Sequence, residues 1–331
     1  MSPVSQTQTS DTASRPGAVV RPADAPGRLS PRDLPVPNDS PAWRWKSRSA
    51  GPLAGWLNRV FGPCGEGFGI LMYHRVARVP VEGPHPTWNV TPARFERQIA
   101  GLLDRGWTPL SLGDVLSRHR LGLTIPRSSF VVTFDDGYAN NVSDALPILR
   151  KYEVPATVFI ATAYLDRQGA FPNDDWPSAG TGGVPSITWR PMTTEEGRQL
   201  AEDPLVDLGC HTHTHADFRG QPDLLFEDLL LNRAVLEEKF GVTDPAFAFP
   251  YGTVSAGFAG GTLSDAARRA GVTCALTTED ELVGPDADPF VWGRFTAEGY
   301  DTAETLAGKL GGWFTRLRHV FDAARSGGKG A

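Results

Sequence analysis

Phe130-Val131-Val132-Thr133-Phe134-Asp135-Asp136-Gly137-Tyr138 is the stretch on which the reading of this chain turns. It carries β-branched and aromatic residues and no charge before Asp135, the pattern of a strand buried on both faces in a mostly parallel sheet. Two adjacent carboxylates then stand at its C-terminal end. Charge at the edge of a core is costly unless compensated, and neighbouring acids repel. The pair therefore predicts a bound metal or a catalytic duty, against the plainer reading of a turn or helix cap. Gly137 lets the chain turn sharply there.

A second constellation favours the chemical reading. Residues 206–210 form another short apolar strand, followed directly by His211-Thr212-His213-Thr214-His215. His211 and His215 stand four apart, so they are expected to share one face of a helical turn, with His213 pointing elsewhere, to solvent or a cleft. Two imidazoles, one carboxylate from the acidic pair and an open position make a recurring catalytic zinc arrangement.

Together with Phe249-Pro250-Tyr251-Gly252, the segments Thr133-Phe134-Asp135-Asp136-Gly137-Tyr138 and His211-Thr212-His213-Thr214-His215 resemble the first three motifs of the polysaccharide deacetylases, also called the NodB-homology domain or carbohydrate esterase family 4. The opening Leu71-Met72-Tyr73-His74-Arg75-Val76 is similar to the branch that accompanies bacterial exopolysaccharide synthesis. This resemblance implies an α/β fold, a distorted and incomplete (β/α) barrel of about seven parallel strands. It also implies a metal-dependent deacetylase acting on an N-acetylhexosamine of a bacterial exopolysaccharide or its lipid-linked precursor. By the same resemblance, Asp136, His211 and His215 hold a divalent metal, zinc by default. Asp135 takes a proton from water, and the Tyr251 N–H assists the oxyanion with Pro250 fixing the turn. Thr212 and Thr214 are expected to brace the loop.

The chain departs from the family pattern twice. Ala248 stands where many members have an arginine two residues before the motif-three proline, so Arg294, in Trp292-Gly293-Arg294-Phe295, is the candidate to orient Asp135. No Leu-x-His motif follows Gly252, the only later histidine being His319, so His74 at the end of the first strand is the candidate general acid. An O-acetyl sugar esterase, or another metal-dependent hydrolase of a non-peptide C–N bond, is the neighbouring activity. A non-catalytic glycan- or metal-binding member of a synthesis complex, or a scaffold docked on one, is the non-enzyme reading.

Composition narrows the classes. A net charge of −6 argues against a nucleic-acid partner. Three cysteines, Cys64, Cys210 and Cys274, are odd in number and far apart, which disfavours a disulfide framework and fits a reducing compartment. The N-terminus lacks the apolar core of a secretory signal, so the expectation is a cytoplasmic protein. Residues 1–42 hold eight of the 28 prolines and read as a disordered tail. Residues 43–66 are basic and aromatic, with apolar positions at helical spacing over 53–61, and residues 306–321 repeat that character. Both are candidates for peripheral contact with an anionic inner membrane, the competing reading being helices packed on the outside of the domain. The catalytic domain is placed at 67–300, with a C-terminal amphipathic helix and tail over 301–331; the oligomeric state is left open.

Between residues 68 and 277 strands alternate with helices. Strands are predicted at 68–73, 130–135, 156–161, 206–210, 246–249 and 273–277, and helices at 92–105, 112–120, 145–152, 223–240 and 264–270. Such alternation implies parallel pairing with right-handed crossovers, which puts the site at the C-terminal strand ends where Asp135, Asp136, His211 and Pro250 fall. The irregular stretches 81–90, with His85 and Trp88, and 166–186, with Trp176, are expected to cap the cleft.

Overall fold

A computed structural model describes residues 41–78, 88–172 and 185–327. The expectations for the tail before residue 41, for His85 and Trp176, and for most of both capping stretches lie outside the described residues.

The chain runs α1 (Pro41–Phe61), β1 (Gly69–Tyr73), β2 (Arg75–Val76), β3 (Asn89–Val90), α2 (Pro92–Leu103), β4 (Thr108–Pro109), α3 (Leu112–Arg120), β5 (Ser129–Phe134) and α4 (Leu146–Tyr152). It continues through β6 (Ala156–Ile160), α5 (Thr194–Ala201), β7 (Val206–Cys210), α6 (Pro222–Phe240), β8 (Phe247–Ala248), α7 (Gly261–Arg269), β9 (Ala275–Leu276), β10 (Phe295–Thr296), α8 (Ala303–Leu310) and α9 (Trp313–Gly327). The sheet order is β10-β1-β5-β6-β7-β8-β9, with β4 beside β5 and every pairing parallel. This is the incomplete (β/α) barrel: seven parallel strands in a curled path, plus the short β4. The segment entering β10 touches both edges of the curl, since Trp292 bridges Leu276 of β9 while Phe295 pairs with Leu71 of β1.

Local chemistry sets the helix ends. Thr91 and Ser111 cap α2 and α3 by accepting backbone N–H bonds, and Thr193 with Glu196 forms a capping box on α5. Pro222 opens α6, and Gly241, at φ 72°, closes it in the left-handed conformation that glycine adopts without strain.

Strand alternation then divides the core. Ile70, Val131, Phe159, Ala248, Leu276 and Trp292 form one cluster, to which α3 adds Leu112, Val115 and Leu116. Their strand neighbours Leu71, Val132, Val158 and Phe247 join a larger cluster with α2, α4, α5, α6, α7 and α8. The period of two that places Val131 in the inner cluster carries Thr133 and then Asp135 onto the same side, so an acid arrives at the mouth of the barrel by continuation of an apolar strand.

Several expectations are corrected. The C-terminal amphipathic stretch is two helices, α8 and α9, broken at Gly311-Gly312, because Gly312 turns at φ 82°. α8 is largely buried against the domain, with Leu306, Ala307, Gly308, Lys309 and Leu310 all covered. The strands at 246–249 and 273–277 shorten to two residues each, and α5, β4 and β10 were not foreseen. No described helix is long and apolar enough to cross a membrane.

Candidate active site

Asp135 follows β5, and its backbone N–H donates to Tyr73 O at 2.9 Å, tying the acid to the end of β1. Its side chain is 2% exposed and meets Arg294 head-on, Nη1 to Oδ1 at 2.6 Å and Nη2 to Oδ2 at 2.8 Å. Arg294 is itself fully buried, and it also donates from Nε to Thr277 O at 2.9 Å and from Nη1 to Thr133 Oγ1 at 3.2 Å. Two planar groups joined by two parallel bonds fix both position and orientation. Burial pushes the Asp135 pKa up, but Arg294 and His211 outweigh it and the net direction is down.

Asp136 turns the other way. Its φ of 71° is left-handed, and Gly137 follows at 85°. Asp136 Oδ1 lies 3.3 Å from both His211 Nε2 and His215 Nε2. His211 Nδ1 bonds the Ala248 carbonyl at 2.8 Å, and a carbonyl only accepts, so Nδ1 carries a proton and Nε2 is the nitrogen turned to the acid. The Tyr251 hydroxyl lies 3.3 Å from His215 Nδ1 and from the His215 carbonyl. The three donor atoms of Asp136, His211 and His215 lie within 4.8 Å of one another, a set of one carboxylate and two imidazoles that fits a divalent cation. Burial would raise Asp136, but the two imidazoles hold its carboxyl well below the usual carboxylate range.

The histidines do not converge by helical spacing. The segment after Cys210 is an irregular loop in which Thr212 (φ 61°) and His215 (φ 53°) take left-handed backbone, and Tyr251 (φ 63°) does the same opposite them. Such conformations are costly for residues with a Cβ and persist only where the surroundings hold them. Part of that hold is inside the loop, where His215 N–H donates to Thr212 Oγ1 at 2.9 Å.

The rest comes from α6. Its buried face reads Leu225, Asp228, Leu229, Asn232, Leu236, two polar residues four apart within an apolar stripe. Asp228 accepts from the backbone N–H of His213, from Thr214 N–H at 3.2 Å and from Thr214 Oγ1 at 2.5 Å. Asn232 donates to Ile160 O at 3.1 Å and to Thr162 Oγ1 at 2.7 Å, and Thr162 Oγ1 lies 2.9 Å from His213 Nδ1. His213 thus points into this network, away from the Asp136 cluster. Sequence reasoning passed over Asp228 and Asn232, although a polar pair interrupting the buried stripe of a long helix was the available signal.

His74 closes β1 at the same mouth. Its imidazole stacks on Trp88, ring centres 4.9 Å apart, and Asn141 Nδ2 holds its carbonyl at 2.9 Å. Burial lowers the His74 pKa, while the Asp136 and Asp135 carboxylates pull it back upward without restoring it. The structure therefore gathers Asp135, Asp136, His74, His211, His215, Tyr251 and Arg294 at the C-terminal end of the sheet.

Residues 123–275 match the sequence profile of the family described as polysaccharide deacetylase. The matched stretch takes in Asp135, Asp136, His211 and His215, and the match identifies it as a polysaccharide deacetylase domain within the chain. A poly-beta-1,6-N-acetyl-D-glucosamine N-deacetylase of Escherichia coli (strain K12) is 28% identical over 147 residues, which is 44% of this chain and 21% of that protein. The enzyme of the same name from Staphylococcus epidermidis is 24% identical over 228 residues, covering 66% of this chain and 71% of the relative. The chain thus spans about a fifth of the E. coli protein it matches (21%) and 71% of the staphylococcal one. Among solved structures, IcaB from Ammonifex degensii superposes with a TM-score of 0.60 at 22% identity, over 75% of this chain and 98% of that one, a likeness of fold.

Proposed function

We propose that this polysaccharide deacetylase hydrolyses the N-acetyl group of an N-acetylhexosamine in a bacterial exopolysaccharide or its lipid-linked precursor, with a divalent ion, zinc by donor chemistry, held by Asp136, His211 and His215. The observation that carries this reading is the division of labour between adjacent acids: Asp136 is turned to two imidazoles, while Asp135 is locked as a carboxylate by Arg294 beside them. The names of the relatives support the N-acetylglucosamine polymer class.

Amide hydrolysis needs an activated water, a stabilised oxyanion and a protonated nitrogen. The bound ion supplies Lewis acidity towards the acetyl carbonyl and the attacking water. Asp135 accepts the water proton as the C–O bond forms, and Arg294 keeps its carboxylate aimed. The Tyr251 backbone N–H donates to the oxyanion. His74 delivers a proton to the sugar nitrogen as the C–N bond breaks, leaving acetate and a free amine.

Asp135→Asn tests the assignment. We expect retained metal and a loss of acetate release by about two to four orders of magnitude, measured on N-acetylglucosamine oligomers. His211→Ala is expected to lose metal and activity together. Full metal occupancy in His211→Ala, or near-normal turnover in Asp135→Asn, would overturn the scheme, and faster acetate release from O-acetylated sugars would favour the esterase alternative.

A further inference from the structure

α1 presents its faces in reverse. A surface helix normally turns large apolar residues inward and polar ones outward. Here the inward face is made of Gly51, Ala54, Gly55 and Asn58, set against Thr305, Glu304, Gly308 and Gly311 of α8 and its end. The fit leaves no room for a side chain: a Cβ on Gly55 would stand 2.6 Å from Glu304 O, and one on Gly308 2.6 Å from the Ala54 carbonyl carbon. Leu53, Trp56, Val60 and Phe61 point out instead, with 43%, 52%, 52% and 66% of their surfaces in solvent. The patch continues onto α9, where Trp313 lies 6.1 Å from Phe61 and anchors its indole N–H on Gly62 O at 2.8 Å, and Val320 is 59% exposed.

Charge selects the occupant. Between Ala42 and Gly65 the sequence holds Arg44, Lys46, Arg48 and Arg59 and no acid, in a chain whose net charge is −6. Arg316 of α9 lies over the Trp313 ring at 5.6 Å, and Arg318 follows it. A two-fold contact with a second copy would set these cations against their own images. An anionic bilayer surface satisfies both features, taking the aromatic and aliphatic side chains into its interface and the exposed Arg59 and Arg316 among its headgroups. No described helix can span a bilayer, so contact would be in the plane of the surface.

We propose that the outward face of α1, extended by Trp313 and Val320 of α9, is a docking surface for anionic membranes. α1 runs parallel to α8, Gly51 facing Thr305 and Asn58 next to Gly311, and α8 packs on β1, where Leu310 would meet a Cβ on Gly69. Lipid contact is thereby tied to the barrel by a close-packed helix pair, which holds the cleft in a set orientation to the bilayer. This inference stands whatever acyl group the site removes.

Co-sedimentation of the full chain with vesicles tests it. We expect binding to phosphatidylcholine vesicles containing phosphatidylglycerol, weak binding to pure phosphatidylcholine, and loss of binding with added salt. The double variant Trp56→Ser/Phe61→Ser, which alters only exposed side chains and is expected to keep its circular dichroism spectrum and acetate release, should bind about tenfold or more weakly. Arg59→Glu should weaken binding to the anionic vesicles alone. Equal sedimentation of wild type and the double variant, or no binding to anionic vesicles, overturns the proposal. A dimer in light scattering that the double variant abolishes, without vesicle binding, overturns it in favour of self-association.

Discussion

The two walls of the candidate site are held by different means. The acid wall is held from within the barrel: Asp135 continues the inner face of β5, and Arg294 reaches it from the segment entering β10, 159 residues away, with both partners buried. The histidine wall is held from outside the sheet, where Asp228 and Asn232 of α6 secure a loop of left-handed residues. One wall is an electrostatic lock within the rigid strands, and the other is a strained loop stapled by hydrogen bonds. The lock sets the protonation state of one group, whereas the staples set where lone pairs converge, so disturbing each wall should give a different signature.

The largest effect is expected at His74, which stands between the walls. His74→Ala should retain metal and lose amide hydrolysis by about 100- to 10,000-fold, with a much smaller loss on an activated ester whose leaving group needs no proton. Equal losses on both substrates would reject the acid role.

Next comes the lock. Arg294→Ala leaves a buried, unpaired carboxylate, and we expect it to cost about 3–5 kcal/mol of stability, measured by denaturant midpoint at constant slope. Arg294→Lys should recover part of the stability but less of the activity, because a point charge cannot reproduce the fork. If Arg294→Ala were as stable as wild type, Asp135 would not depend on the pair.

The staples should act through the metal. Asp228→Ala removes an acceptor of three donors, and we expect about 10- to 100-fold weaker metal binding by competition with a chelator, with Asp135 chemistry intact at saturating metal. Without a cation, burial opposes a proton on His211, but Asp135 and Asp136 outweigh it and raise its pKa. Metal binding should therefore release a proton and weaken as pH falls through that raised value.

The smallest effect separates the walls by pH. Burial pushes Asp228 from 3.8 up to about 6, so between those values the folded protein holds a proton that the unfolded chain has released. The folded state binds more protons there, and metal-free stability should fall as pH rises across that window. Asp228→Asn should lack this slope. A slope unchanged in the variant would assign it to another group.

The candidate site residues were legible because they are local: an apolar run that ends in Asp135-Asp136-Gly137, and a second that ends in three histidines. Alternation of period two and the parallel βα order were enough to bring both to one end of the barrel. Arg294 was named through the family resemblance, since Ala248 stands where many members carry an arginine. The short strands were drawn too long or missed, because β8, β9 and β10 are two residues each and take their extended shape from ladder partners rather than from propensity.

By itself the sequence determined the parallel α/β architecture, the acidic pair, the candidate metal-ligand set and the basic character of the first helix, because each is written in neighbouring side chains. Only the tertiary structure decided how they act. The histidines meet through left-handed backbone at Thr212 and His215 and not through a helical turn, since residues of α6 outbid local preference. The Asp135–Arg294 lock exists because the curled sheet brings its last strand beside its first. The outward turn of Trp56 and Phe61 follows from Gly55 and Gly308, whose missing side chains let two backbones approach and leave the large residues no inner surface to cover.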